Sequence, residues 1–181
     1  MDLGLKGRAA VVAGGTRGVG RATAELLAAE GCRVAVLART PSHLAEAEEE
    51  LLAAGAEDAI GLECNLLDSG EVEAAFEFLD ERWGELHCLV NTVGPAQVGG
   101  LDDLSDAAWL EEFDLGVLTM IRTTRSAMPL LRKATFARVV NVAASAIRHQ
   151  RPGSSASPPR RPRWRARRRT CRVRWRPRGS S

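Results

Sequence analysis

The stretch AAVVAGGTRGVGRATAELLAA, residues 9–29, limits what this chain can fold into more than any other part of it. A short apolar run rich in strand formers passes directly into a glycine cluster and then into a helical pattern. Gly14, Gly18 and Gly20 stand at the spacing G-x-x-x-G-x-G. Glycines there let the backbone turn tightly and approach a pyrophosphate, which then meets the positive end of the helix dipole. A glycine set alone says little. Its seat between a buried strand and an amphipathic helix is the context that points to a dinucleotide.

The rest of the chain repeats the same alternation. Arg8 to Ala13, Arg33 to Ala38, Ala59 to Glu63, Cys88 to Asn91 and Ala137 to Val142 read as parallel strands buried on both faces. Between them the apolar residues recur at helical spacing. One stripe is Val19, Ala22, Thr23, Leu26 and Leu27, and a second is Val72, Ala75, Phe76, Leu79 and Trp83. A third is Trp109, Phe113, Val117, Met120, Ile121 and Met128, ending at Pro129. Strand and helix alternating five times with right-handed crossovers predict an α/β doubly wound parallel sheet, the Rossmann fold. At 181 residues the length suits one domain.

Charge divides the chain in two. Residues 1–147 carry 12 basic and 23 acidic side chains, a net −11, whereas residues 148–181 carry 13 arginines and no acid, a net +13. Cys32, Cys64, Cys88 and Cys171 form no CxxC pair, and the first three lie in or beside apolar runs, which predicts a reducing compartment. The N-terminus lacks a signal-peptide pattern, and no run approaches the roughly 18 apolar residues of a membrane span. The expected location is cytoplasmic. His43, His87 and His149 are lone histidines without a carboxylate partner at a readable spacing, and are expected at the surface.

AGGTRGVG, RVAVLAR, CNLLD, LVNTVG and RVVNVAAS, in that order, resemble the short-chain dehydrogenase/reductase family over residues 5 to about 153. The resemblance implies an oxidoreductase that moves a hydride between a nicotinamide cofactor and a small carbonyl or alcohol. It assigns cofactor contacts to Gly14, Thr16, Arg17, Gly18, Val19 and Gly20 in the glycine loop, and to Asn65 and Leu66 in the adenine-contacting turn. Asn91 would brace the turn after the fourth strand, and Gly94 would allow close approach to the cofactor. The acid that selects NAD at the end of the second strand is replaced by Leu37, Ala38 and Arg39. Arg17 and Arg39 can clasp a 2′-phosphate by paired hydrogen bonds, so NADP(H) is expected over NAD(H). Arg21 and Arg33 are expected to be solvated surface arginines. The family's fourth and fifth helices commonly build a dimer interface, which implies a homo-oligomeric parent enzyme.

Catalysis departs from the family. The resemblance implies an Asn, a Ser, a Tyr and a Lys. The Asn position falls on Gly116 and the Ser position on Ala144, leaving Ser145, one residue late, as the candidate catalytic residue. The chain has no Tyr, and its lysines, Lys6 and Lys133, lie elsewhere.

The family register stops after Gly153, which divides the chain into a domain of residues 1–153 and an arginine-rich tail of 154–181, expected to be disordered. Arg, Pro, Ser, Ala and Trp dominate the tail, as they do in a GC-rich gene read out of frame. An alternative frame permits T-A-A-K-A-A-L-A-R over residues 158–166, A-S-K-N-L-S-R-S over 167–174 and L-A-P-E-G-I-L over 175–181. That hidden string resembles the family's next helix and strand. It places the Lys at Arg161 and the Tyr slot at Ser157, whose TC-type codons do not allow Tyr. The competing reading is an arm that binds nucleic acid or another anionic surface. Its arginines would contact phosphates and Trp164 and Trp175 would stack on bases, while such charge also holds polyanions nonspecifically, with no selected nucleic-acid partner.

Overall fold

The computed structural model describes residues 3–94 and 103–143. The tail, Ala144, Ser145 and His149 lie outside them. Five strands form one parallel sheet in the order β3-β2-β1-β4-β5: β1 (Ala9–Ala13), β2 (Arg33–Ala38), β3 (Asp58–Glu63), β4 (Cys88–Asn91) and β5 (Arg138–Asn141). The chain moves outward from β1 to β3, then returns to the other side of β1 for β4. The order therefore reverses between β1 and β4, opening a crevice at their carboxyl ends. The doubly wound sheet expected from the sequence is the fold observed.

The two-residue period of the strands divides the core into two layers. Val11, Ala13, Ala35, Leu37 and Leu89 face a layer formed with α3 (Ser69–Trp83) and α5 (Thr119–Lys133). Val12, Val34, Val36 and Val90 face the layer of α1 (Gly18–Ala29) and α2 (Pro41–Ala54). Helix bounds follow local chemistry. Pro41 opens α2, and Gly55 closes it in the left-handed region at φ 111°. The Asp68 side chain caps α3 by accepting from the Gly70 and Glu71 amides at 2.7 and 3.2 Å. The expected α3 stripe of Val72, Ala75, Phe76, Leu79 and Trp83 is buried throughout.

The other two stripes are corrected. In α1 the inward residues are Gly20, Ala24 and Ala28, while Val19 and Leu26 are 63% and 69% exposed. A side chain on Gly20 would collide with the Gly14 carbonyl, so this helix sits close to the sheet, and only the stripe of small residues fits beneath it. The third stripe crosses α4 (Asp106–Phe113), a π-helical turn (Asp114–Leu118) and α5. Leu110, Phe113, Ile121 and Met128 face outward, and Thr119, Thr123, Ala127, Leu130 and Leu131 face the sheet. The helix also continues past Pro129 to Lys133. Burial of Leu130 and Leu131, with the Leu130 carbonyl accepting from the Leu86 amide at 3.2 Å, outweighs the one hydrogen bond that proline forfeits.

At the amino ends of the strands, two expectations of surface residues also fail. His87 is 1% exposed. Its Nε2 lies 3.1 Å from Arg8 Nη1, its Nδ1 accepts from the Ala9 amide at 3.3 Å, and its ring meets Phe136 edge to face at 5.4 Å. Arg33 is part-buried: its Nε donates to the Gly7 carbonyl at 3.1 Å and its guanidinium lies over the Trp83 ring. Arg21 is held by Glu25, Glu46 and Glu50. These three side chains found partners on neighbouring elements that are distant in sequence.

Candidate functional site

A cleft of about 470 Å³ lies at the carboxyl ends of β1, β2 and β4, where the sheet order reverses. Gly14, Thr16, Arg17, Val19 and Gly20 form one wall. Gly14 and Gly20 leave no room for a side chain. Gly14 has φ 83°, and a Cβ there would come within 2.8 Å of Val93 Cγ2 and 2.9 Å of Thr92 Oγ1. A Cβ on Gly20 would strike the Gly14 carbonyl and come within 2.6 Å of Thr92 Oγ1. Gly18, at the start of α1, has φ 55°. The backbone thus packs closely on itself and on Thr92 and Val93 at the foot of α1.

The end of β2 forms the second wall. Leu37 and Ala38 are followed by Arg39 and Thr40 and, one turn into α2, His43. Arg17 and Arg39 are both exposed, and among the described residues neither is held in an ion pair. Among those residues, no carboxylate lines the cleft, whereas two guanidinium groups and an imidazole do. The site is built to attract anionic groups.

Cys64, Asn65, Leu66 and Leu67 close the outer end. Asn65 makes an Asx turn: its Oδ1 accepts from the Leu67 amide at 3.2 Å, and its own amide donates to Glu71 Oε2 at 2.7 Å. A carbonyl oxygen has two lone pairs, so Oδ1 keeps one for a ligand donor. Burial pushes the Cys64 thiol up to about 11, with Glu71 and Asp68 adding to it, so this sulfur is inert rather than nucleophilic.

At the inner end, Thr92, Val93, Gly94, Leu115 and Val142 line the cleft. Asn91 lies beneath them, 2% exposed. Its Oδ1 accepts from Thr123 Oγ1 and its Nδ2 donates to Asn141 Oδ1, each at 2.8 Å, so it ties β4 to α5 and β5. Gly116 lies in the π-helical turn, next to the cleft-lining Leu115. Among the described residues this inner end holds no titratable proton donor.

The structure thus brings together Gly14, Thr16, Arg17, Val19, Gly20, Arg39, Asn65, Leu66 and Gly94 around one cleft, with Asn91 directly behind it. Sequence reasoning gave no site role to Thr40, Cys64, Leu67, Thr92, Val93, Leu115 and Val142, and expects His43 as an ordinary surface histidine. For His43 a signal was present: it follows Arg39 by four residues and lies on the first turn of the helix that begins there.

The short chain dehydrogenase family profile matches residues 8–156. The 3-oxoacyl-acyl-carrier-protein reductase FabG of Escherichia coli strain K12 is 29% identical over 140 residues, covering 77% of this chain and 56% of that protein. Actinorhodin polyketide ketoreductase, solved with NADPH, superposes with a TM-score of 0.76 at 29% identity, over 83% of this chain and 58% of that one. The NADH-dependent reductase A1-R′, solved with NAD, superposes with a TM-score of 0.78 at 25% identity, over 86% and 67%. The chain spans about half the length of the curated relatives it matches.

Proposed function

This chain belongs to the short chain dehydrogenase family, and from that premise we propose that its cleft binds NADP(H) and that the reaction moves a hydride between the nicotinamide and a small carbonyl or alcohol. The observation that carries the reading is the lining of the cleft: a loop in which Gly14 and Gly20 leave no room for a Cβ, two unpaired arginines, and no carboxylate among the described residues. Gly14, Thr16, Gly18, Val19 and Gly20 hold the pyrophosphate, and Arg17 and Arg39 hold the 2′-phosphate by charge-assisted hydrogen bonds. Asn65 and Leu66 face the adenine, while Asn91 and Gly94 shape the nicotinamide side. The dinucleotide, once bound, supplies or accepts the hydride. Similar folds have been solved with NAD and with NADPH, so the preference rests on these side chains. Keto groups are what the names of two relatives specify, which favours carbonyl reduction as the reaction direction.

The chain's own residues supply little proton chemistry. It has no Tyr, Gly116 stands where the resemblance implies an Asn, and Ser145 is the proposed hydroxyl for the substrate oxygen. The chain as it stands therefore binds cofactor and turns over weakly or not at all. Fluorescence titration with NADPH and NADH tests the cofactor reading; tighter binding of NADPH is expected, and equal or absent binding of both would refute it.

The domain division belongs to the same proposal: residues 1–153 as the nucleotide-binding domain and 154–181 as an out-of-frame product. The family match ends at residue 156, close to where the register fails, in support of this. Sequencing the locus on both strands is the test, and an alternative frame without the family's helix and strand would defeat it. Polyanion binding by the 13 arginines of 148–181 is the second reading, and a nonspecific one. We also propose a homo-oligomeric parent. Leu110, Phe113, Ile121 and Met128 form one exposed apolar stripe along α4 and α5, the kind of patch that marks an interface. A reducing cytoplasm fits Cys32 and Cys64, both buried as unpaired thiols. No helix among the described residues is long and apolar enough to cross a membrane.

A further inference from the structure

We infer that Thr92 is a positioning residue for the dinucleotide, its hydroxyl clipping the glycine loop to the end of β4. The inference rests on the cradle proposed above and adds a residue to which that reading gives no role. Thr92 follows β4 and approaches the loop from across the sheet. Its amide donates to the Ala13 carbonyl at 3.0 Å, continuing the β1–β4 ladder by one rung. Its Oγ1 donates to the same carbonyl at 2.7 Å and lies 3.2 Å from the Gly14 carbonyl, so one hydroxyl proton is shared between two successive peptide groups. These are the last peptide of β1 and the first of the loop.

Three further contacts make this more than a local turn. The Gly14 amide donates to the Leu37 carbonyl of β2 at 2.9 Å, so the Gly14 peptide is held from β2 on one side and from Thr92 on the other. The Gly14 carbonyl and Thr92 Oγ1 are also the two groups that a Cβ on Gly20 would strike, so the same hydroxyl packs against the first turn of α1. Thr92 itself lines the cleft beside Gly14 and Gly20. One side chain therefore fixes the loop, the helix start and the strand end relative to one another. A cradle made of backbone depends on such support, because its peptide groups must keep their directions before the ligand arrives.

A hydroxyl on a β-branched side chain has few rotamers, which suits a short clip between neighbouring strands.

The experiment uses the full chain, with Thr92→Val removing the hydroxyl at nearly constant shape and Thr92→Ser keeping it. Dissociation constants for NADPH and NADH come from fluorescence titration, thermal unfolding is followed without cofactor, and backbone amide exchange is read over residues 14–20. The expected result for Thr92→Val is weaker binding of both dinucleotides by the same factor, between about threefold and tenfold. Faster exchange in the loop should accompany it while global exchange stays constant. Thr92→Ser should stay within about twofold of the unaltered chain. Equal effects on the two cofactors separate this clip from Arg17 and Arg39, which bear on NADPH alone. Unaltered binding by Thr92→Val, or a Thr92→Ser loss as large as that of Thr92→Val, overturns the assignment. If Thr92→Val does not fold, the Thr92→Ser result and its loop exchange decide alone. Failure of the unaltered chain to bind either dinucleotide overturns the cradle itself and the clip with it, an outcome distinct from failure of the clip only.

Discussion

β1 and β5 lie in one parallel sheet, separated only by β4, and both carry paired valines, yet their surroundings are opposite. Val11 and Val12 are fully buried, whereas Val139 and Val140 are 40% and 47% exposed. β1 has helices on both faces and a strand on each edge, and the glycine loop springs from its end. β5 has one neighbouring strand, and all four of its residues are exposed among the described part of the chain. The contrast separates two functions. The half proposed to hold the dinucleotide is a closed body able to keep backbone groups in place. The half that would present a substrate rests on an open strand and an exposed apolar stripe.

The strongest way to break this comparison is at Gly20. A valine there collides with the Gly14 carbonyl and the Thr92 hydroxyl, and dinucleotide affinity should fall on the order of 100-fold. Titration of Gly20→Val with NADPH checks it, and near-normal binding would mean the cradle lies elsewhere. Next in size is the double variant Arg17→Ala/Arg39→Ala. NADPH affinity should drop roughly 10- to 100-fold with NADH little changed, and a parallel loss of both cofactors would argue against 2′-phosphate recognition.

The strand contrast itself is tested by a matched pair. Val11→Ala removes two methyl groups from a sealed layer and should cost about 1–3 kcal/mol in urea unfolding. Val140→Ala should stay within about 0.5 kcal/mol, because its side chain is half in water. Equal costs would show that β5 is covered in solution.

The smallest effect is one of pH, and it reports on the amino ends of the strands. His87 Nδ1 accepts from the Ala9 amide, so the neutral ring carries its proton on Nε2, and a second proton, placed on Nδ1, would point donor at donor. Burial holds the ring below its ordinary value of 6.5, Arg8 and Arg33 act in the same direction, and Glu85 opposes them. The unfolded chain therefore binds this proton more readily. The stabilisation is complete above 6.5 and is lost as pH falls from there toward the folded value, at no more than about 1.4 kcal/mol per pH unit. Asp58 stays out of this window. Burial raises its carboxyl, but hydrogen bonds from Arg82 and Trp83 together outweigh burial and hold it below 3.8. Urea midpoints at pH 7.5, 6.5 and 5.5 should decline for the unaltered chain and stay flat for His87→Gln; a decline retained in the variant would assign the effect to another group.

The fold and most of the cleft are legible in the sequence, and the reasons are local. Gly14, Gly18 and Gly20 announce a backbone that must turn and approach a ligand. The absence of an acid after β2 is visible in four letters, and α3 could be read residue by residue because its apolar stripe is its buried face. Helices α1 and α5 misled for one shared reason. Periodicity reports where large apolar side chains cluster, whereas close approach to a sheet selects small ones. Ala24, Ala28 and Thr123 therefore went inside while Leu26, Ile121 and Met128 stayed out.

What the sequence determined by itself was the order of elements and the chemistry of the loop, because hydrophobic period and glycine spacing act over a few residues. Tertiary structure alone decided which face of α1 and α5 meets the sheet, that His87 and Arg33 find partners instead of water, and that Thr92 reaches the Gly14 carbonyl 78 positions away. Those outcomes depend on groups that become neighbours only when distant strands pair. Strand pairing is set by the energy of the whole sheet and by no short window of residues.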